Sequence, residues 1–196
     1  MRLFAFLSLA VLAGSAIAQH GASASNMTLL GHDELQGRSA YQPIIHRQGG
    51  RFIAYVGHHG GKATNPLTGR QEDNGTSIVD VTDPRAPRYL AHIPGEAGEG
   101  EAGGAQMVRA CNGSDLPKAD KSKFYLLRTF GNAAHEVWDV TDPSKPSIVS
   151  TIVKVKGTHK NWWECDTGIA YLVSGLDGWR VRRMTQVFDL SDPAHP

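Results

Sequence analysis

Apolar residues along this chain come in short bursts rather than long runs. Positions 44–45, 52–56 (FIAYV), 78–81 and 89–93 (YLAHI) form one group of four. Positions 106–110, 124–128 (FYLLR), 136–140 and 148–155 form a second, and 161–164, 169–173 (IAYLV) and 185–190 a third. The bursts are rich in β-branched and aromatic residues, which fit a half-buried pleated surface. Gly, Pro, Asn and Asp lie between them, and no window sustains the 3.6-residue periodicity of a helix. The pattern predicts an all-β chain of eleven main strands in groups of four, four and three.

A repeat underlies the grouping. The segment 78–87 (IVDVTDPRAP) returns as 137–146 (VWDVTDPSKP) and as 187–196 (VFDLSDPAHP). Each copy is a short β-branched strand followed by an Asp-Pro step, and the residue before a proline is pushed out of the helical region. The carboxylates of Asp83, Asp142 and Asp192 are placed to accept backbone N–H groups in the turn. Four short strands in a unit of roughly 40–50 residues is the signature of a β-propeller blade. The units expected are about 42–95, 104–157 and 158–196, after a lead-in at 19–41. That makes two blades and three-quarters of a third, so the expectation is a partial propeller whose remaining blades lie outside this chain or come from other copies.

The copies SIVDVTDPRAP, EVWDVTDPSKP and QVFDLSDPAHP resemble the I-V-D-V-S-D-P-x-x-P consensus of the LVIVD-repeat proteins, secreted or surface bacterial β-propellers. CDTGIAYLVSG is similar to that family's V-x-G-x-x-A-Y-V-A strand pair. The resemblance runs from about Gln42 to the end. It departs from a minimal repeat in two insertions, 60–75 and 112–123, both expected as long loops. It implies a propeller fold and an exported location. The family has no single established activity, so no catalytic residue is carried over.

The first residues agree with export. Met1-Arg2, an apolar run at 3–12 and Ala16-Ile17-Ala18 read as a signal peptide over residues 1–18, with Gln19 as the mature N-terminus. The apolar run is about half of what a membrane-spanning helix requires. Cleavage removes Arg2 and leaves the basic and acidic residues in balance. A balanced chain has no bulk electrostatic attraction for nucleic acid or an anionic membrane. The cluster Arg180, Arg182, Arg183 reads as an exposed face. Cys111 and Cys165 end the first strands of adjacent units, and an oxidising compartment makes a disulfide between them the expectation. The glycine-rich stretch 95–104 lacks the context of a phosphate loop and reads as a flexible acidic connection.

Histidine is the enriched reactive side chain, with nine in the sequence. His58 and His59 stand between a strand and a glycine pair, while His46 and His159 lie on or beside first strands, which line a propeller's central channel. These four are the candidate ligands for a divalent or transition metal. No H-x-H, H-x-x-x-H or H-E-x-x-H spacing supports such a centre. His46, His159, Trp162, Trp163 and Glu164 are the candidate ligand-binding set, with an aromatic wall able to take a ring, a sugar or a peptide. Adjacent tryptophans on a strand face opposite ways, so one of the pair is expected in an inter-sheet core. The favoured reading is an exported, non-enzymatic binding or scaffold module for an unidentified protein or small molecule. A metal-dependent hydrolase or oxidoreductase with a channel-lining histidine site is one rival, and an adhesion or carbohydrate-binding module is the other.

Overall fold

The computed structural model describes residues 25–196. The signal-peptide reading of residues 1–18 lies outside them. The chain runs through β1 (Tyr41–Gln48), β2 (Arg51–Gly57), β3 (His59–Gly60), β4 (Lys62–Thr64), β5 (Gln71–Asp73), β6 (Thr76–Asp80) and β7 (Arg88–Ile93). It continues with β8 (Gly100–Gly104), β9 (Val108–Asn112), β10 (Phe124–Phe130), β11 (Ala134–Asp139) and β12 (Ser147–Ile152). The last strands are β13 (Asn161–Trp163), β14 (Ile169–Ser174) and β15 (Met184–Asp189). A 3-10 turn at Leu35–Gly37 is the one helical element among the described residues.

Three antiparallel meanders carry the fold. The first sheet is ordered β1-β2-β6-β7, the second β9-β10-β11-β12 and the third β13-β14-β15. All eleven strands expected from the apolar bursts are present, with β9 starting two residues later than its burst. The first strands of the sheets lie side by side, β1 against β9 and β9 against β13.

Strand alternation sorts the side chains between sheets. On β2, Ile53 and Tyr55 join Ile78, Ala91 and Ile93 in a core shared with Val108, Leu126 and Val140 of the second sheet. On β10, Leu126 points to that core, while Tyr125 and Leu127 point the other way. These two pack with Val137 and Ile152 against Trp163, Ala170, Leu172 and Leu190 of the third sheet. The central strands β2 and β10 therefore each supply two cores, as the period of two requires. A smaller cluster on the outer side of the first sheet sets Leu35 over Ala54, Val56 and Val79.

The repeated turn is built the same way three times. The Oδ1 of Asp80, Asp139 and Asp189 accepts the N–H of Thr82, Thr141 and Ser191 at 3.0, 2.9 and 2.9 Å. The Oδ1 of Asp83, Asp142 and Asp192 accepts the N–H two residues on, at 3.0, 2.9 and 3.0 Å. In the first two sheets the threonine hydroxyl donates to its Asp at 2.6 Å and accepts the N–H of Phe52 or Phe124. The motif thus ties the end of a third strand to the start of the second. In the third sheet Gly168 replaces the phenylalanine, at φ +75°, and a Cβ there would lie 2.3 Å from the Ser191 Cα.

Two expected loops are ordered ribbons instead. The 60–75 insertion contains the β4–β5 hairpin, and the 95–104 stretch supplies β8, which pairs with β3. Neither segment has a β-branched run to signal a strand. Glycine makes the β3–β8 pairing possible by close backbone approach: a Cβ on Gly60 would stand 2.3 Å from the Gly98 carbonyl oxygen, and one on Gly104 2.3 Å from that of His58.

Candidate functional site

The three first strands frame a cleft of about 680 Å³. Its wall comprises the β1 stretch from Gln42 to His46, Arg109 and Ala110 of β9, Trp162 and Trp163 of β13, and Cys165. Each repeat contributes one strand, so the cleft exists only where the sheets stand together. The Cys111–Cys165 disulfide, with Cα atoms 5.5 Å apart, joins the end of β9 to the turn after β13 and fixes two of the three walls. This is the pairing expected from the sequence.

His46 occupies the β1 wall. Its Nε2 lies 2.9 Å from Oδ1 of Asn112, whose amide donates to Asp115 Oδ2 at 2.7 Å. Because the Asn112 amide nitrogen is committed to Asp115, its oxygen faces the ring, and His46 Nε2 is the donor. Burial pushes the imidazole below its usual range, against the Asn112 hydrogen bond and the Asp115 charge. His46 is thus a neutral ring at physiological pH, its Nε2 already used.

The two tryptophans separate as alternation predicts. Trp163 is 4% exposed, lies in the core between the second and third sheets, and donates its Nε1 hydrogen to the Gly168 carbonyl at 3.3 Å. Trp162 is 54% exposed and turns its ring to Arg109, whose guanidinium carbon lies 5.2 Å from the ring centroid. Arg109 donates Nη1 to the Val108 carbonyl at 2.7 Å, and its buried Nε has no hydrogen-bond partner among the described residues. Burial alone pulls its pKa down, with no carboxylate acting against it. Among the described residues Arg109 has no carboxylate partner, so the cleft holds a half-buried cation on an aromatic face.

The remaining candidates stand elsewhere. His58 is buried, its Nδ1 2.6 Å from the Ser39 carbonyl and its Nε2 2.8 Å from Ser77 Oγ. His59 reaches Gln106 Oε1 at 3.0 Å and packs on Tyr41, whose ring also carries the Lys160 ammonium 4.3 Å from its centroid. His159 lies 3.3 Å from Glu101 Oε2. Glu164 accepts the Thr167 hydroxyl at 3.3 Å within its own turn and is not part of the cleft wall. His46, His58, His59 and His159 are therefore each engaged with partners of their own. Among the described residues no group of three or more His, Cys, Asp or Glu is placed to hold a metal ion. No described helix is long and apolar enough to cross a membrane.

Arg109 is the residue that sequence reasoning passed over. The strand registers reveal the signal that marks it. Ile44–Tyr55–Ile78 is a cross-strand row in the first sheet, and its counterparts are Arg109–Leu127–Val137 and Trp162–Tyr171–Val187. One position thus holds Ile, Arg and Trp in turn, and a charge at an otherwise apolar register asks for a reason. A scan of protein-family models and a search of curated proteins both return no match to the chain.

Proposed function

We propose that this chain is a binding module of an exported, propeller-type protein of the LVIVD-repeat kind, and that its cleft takes a small organic carboxylate carrying a planar ring. Propeller organisation is supported by consecutive antiparallel meanders whose first strands lie side by side. Export is supported by the hydrophobic leader of the sequence and by the disulfide.

The observation that carries the ligand class is Arg109. Its planar guanidinium suits a bidentate carboxylate, and its partial burial makes an anion more valuable there than on an open surface. Trp162 offers a ring face beside it, and Ile44 and Ile45 line the β1 wall. An aromatic carboxylate would place its charge on Arg109 and its ring along Trp162, with His46 beside it as a neutral polar wall. The reading is one of recognition: among the described residues, the cleft wall holds no carboxylate and no metal-ligating group of three.

Calorimetric titration of the mature protein with a panel of aromatic carboxylates and their matched amides tests the reading. Carboxylates should bind and amides should not. Arg109→Gln should weaken binding at least about tenfold, which corresponds to about 1.4 kcal/mol, with circular dichroism unchanged. Equal binding of amide and acid, or an unaffected Arg109→Gln variant, would overturn it.

A further inference from the structure

We infer that Lys160 is a second anion anchor at one end of the cleft, so that the ligand is an aromatic ring carrying two carboxylates. The inference rests on the carboxylate reading of Arg109 and adds the position of a second charge. Its starting point is a bridge between two strands. Lys160 donates from its ammonium to the Tyr41 hydroxyl and lies 4.3 Å from the centre of that ring. β9 lies between β1 and β13, so a contact from Lys160 to Tyr41 spans the cleft from flank to flank. Tyr41 directly precedes Gln42, where the β1 wall begins. The bridge therefore caps the cleft at the end where its strands start.

Strand geometry sets the spacing of the two cations. Lys160 stands one residue before β13 but stays on its ladder, with its carbonyl accepting the Val173 N–H at 2.9 Å. Alternation then puts Lys160 on the same side as Trp162, two residues along, a step of about 6.4–6.8 Å. Arg109 shares the register row of Trp162 and lies against its ring. One cation thus sits level with the tryptophan and the other one step towards the capped end. A benzene ring with carboxylates at opposite corners spans such a step with its face along Trp162.

Lys160 has donors left for a ligand. Among the described residues it forms no ion pair, and Glu101, the carboxylate beside its neighbour His159, is 3.3 Å from that ring. An ammonium carries three N–H groups, and Tyr41 takes one. A further donor stands close by. His59 packs on the Tyr41 ring, centroids 4.7 Å apart, and its Nε2 donates to Gln106 Oε1 at 3.0 Å. Gln106 is 1% exposed, and its amide nitrogen has no acceptor among the described residues. An unpaired buried N–H is unfavourable, and an anion held by Lys160 brings an acceptor to this end of the cleft.

Calorimetric titration of the mature protein with terephthalate and with its mono-amide, in which a neutral group of the same shape replaces one carboxylate, tests this. Terephthalate should bind at least about tenfold more tightly. In Lys160→Met the difference between the two compounds should vanish. In Lys160→Arg, which keeps the charge, terephthalate should remain the tighter ligand. Equal binding of the two compounds by the wild-type chain would overturn the inference and leave Arg109 as a lone anchor. A difference that survives Lys160→Met would overturn it too. Failure of both compounds to bind would overturn the carboxylate reading itself, and this inference with it. If circular dichroism shows that Lys160→Met does not fold, Lys160→Gln takes its place.

Discussion

Arg128 and Glu136 form a buried ion pair at 2.7 Å, with side chains 1% and 9% exposed. They lie opposite one another on β10 and β11. Arg128 also donates to the carbonyls of Ile93 at 3.0 Å and Pro94 at 2.7 Å, so one guanidinium stitches the second sheet to the last strand of the first. Trp138 Nε1 donates to the same Glu136 oxygen at 2.9 Å. The pair is one of several polar ties between the first two sheets, with Gln48 Nε2 donating to the Val140 carbonyl at 2.9 Å as another.

Removing one partner leaves the other charged and dry. Glu136→Gln should destabilise the fold by about 3–5 kcal/mol, seen as a lower urea midpoint. A change below about 1 kcal/mol would mean that the carbonyls of Ile93 and Pro94 suffice for the guanidinium.

His135 presents the opposite case. It is fully buried, neither ring nitrogen has a hydrogen-bond partner among the described residues, and burial drives its pKa down to about 3. Replacing it with Leu removes two unpaired polar atoms and should raise stability by about 1–3 kcal/mol. Thermal unfolding of the variant decides this, and a fall in midpoint would show that the imidazole is held by something more than packing.

Acid should loosen the first sheet before it affects the turns. Burial drives His58 down to about 4, opposed by the Ser39 carbonyl and helped by the nearby charges of His92 and Arg38. Burial likewise drives His92 down to about 4, although Glu72 accepts its Nδ1 hydrogen at 2.7 Å. Both rings are neutral in the folded state, so between pH 6.5 and about 4 the unfolded chain binds more protons than the folded one. Stability from these two groups is therefore full above pH 6.5 and declines as pH falls towards 4. Urea midpoints over that range should drop, and the drop should shrink in His58→Gln. A flat profile would show that neither ring is desolvated in solution.

The repeated turn should be sensitive at its first aspartate. Asp139 accepts both the amide and the hydroxyl of Thr141, and Lys123 lies 3.0 Å away. Burial acts to raise its pKa, but these donors outweigh it and hold the carboxyl below its usual range. Asp139→Ala should cost about 1–3 kcal/mol by leaving the Thr141 amide without its acceptor, measured by chemical unfolding. No loss would mean that the backbone bond from Val140 to Phe124 carries the turn unaided.

Reduction gives a further check. Opening Cys111–Cys165 should lower stability by about 2–4 kcal/mol, read as a drop in melting temperature with reductant that Cys111→Ala/Cys165→Ala reproduces.

The main strands were legible in the sequence because most carry a β-branched or aromatic burst and run into an Asp-Pro turn or a glycine. The Cys111–Cys165 pair was legible from its place at the ends of the first strands of successive units, although the registers set the two cysteines one position apart. The ribbons at β3–β8 and β4–β5 were not, because glycine there acts by the absence of a side chain, which has no propensity signature. Arg109 escaped for a different reason. Its meaning comes from the row it shares with Leu127 and Val137 and from the Trp162 ring beside it, and both depend on register. His46 entered as a metal candidate, but Asn112, which defines its role, belongs to another sheet and is 66 residues away in sequence.

The disulfide has a mechanical consequence. Its bond closes a loop with a sequence separation of 54 that encloses β10, β11 and β12. A pull on the two ends of the chain passes through the sulfur atoms and never loads those strands. Extension of the oxidised chain should fall short of the reduced one by about 180 Å, since a stretched residue spans roughly 3.3–3.6 Å. Three of the middle sheet's four strands are sheltered from tension for as long as the bond survives, while β9 up to Cys111 and the sheets on either side take the force.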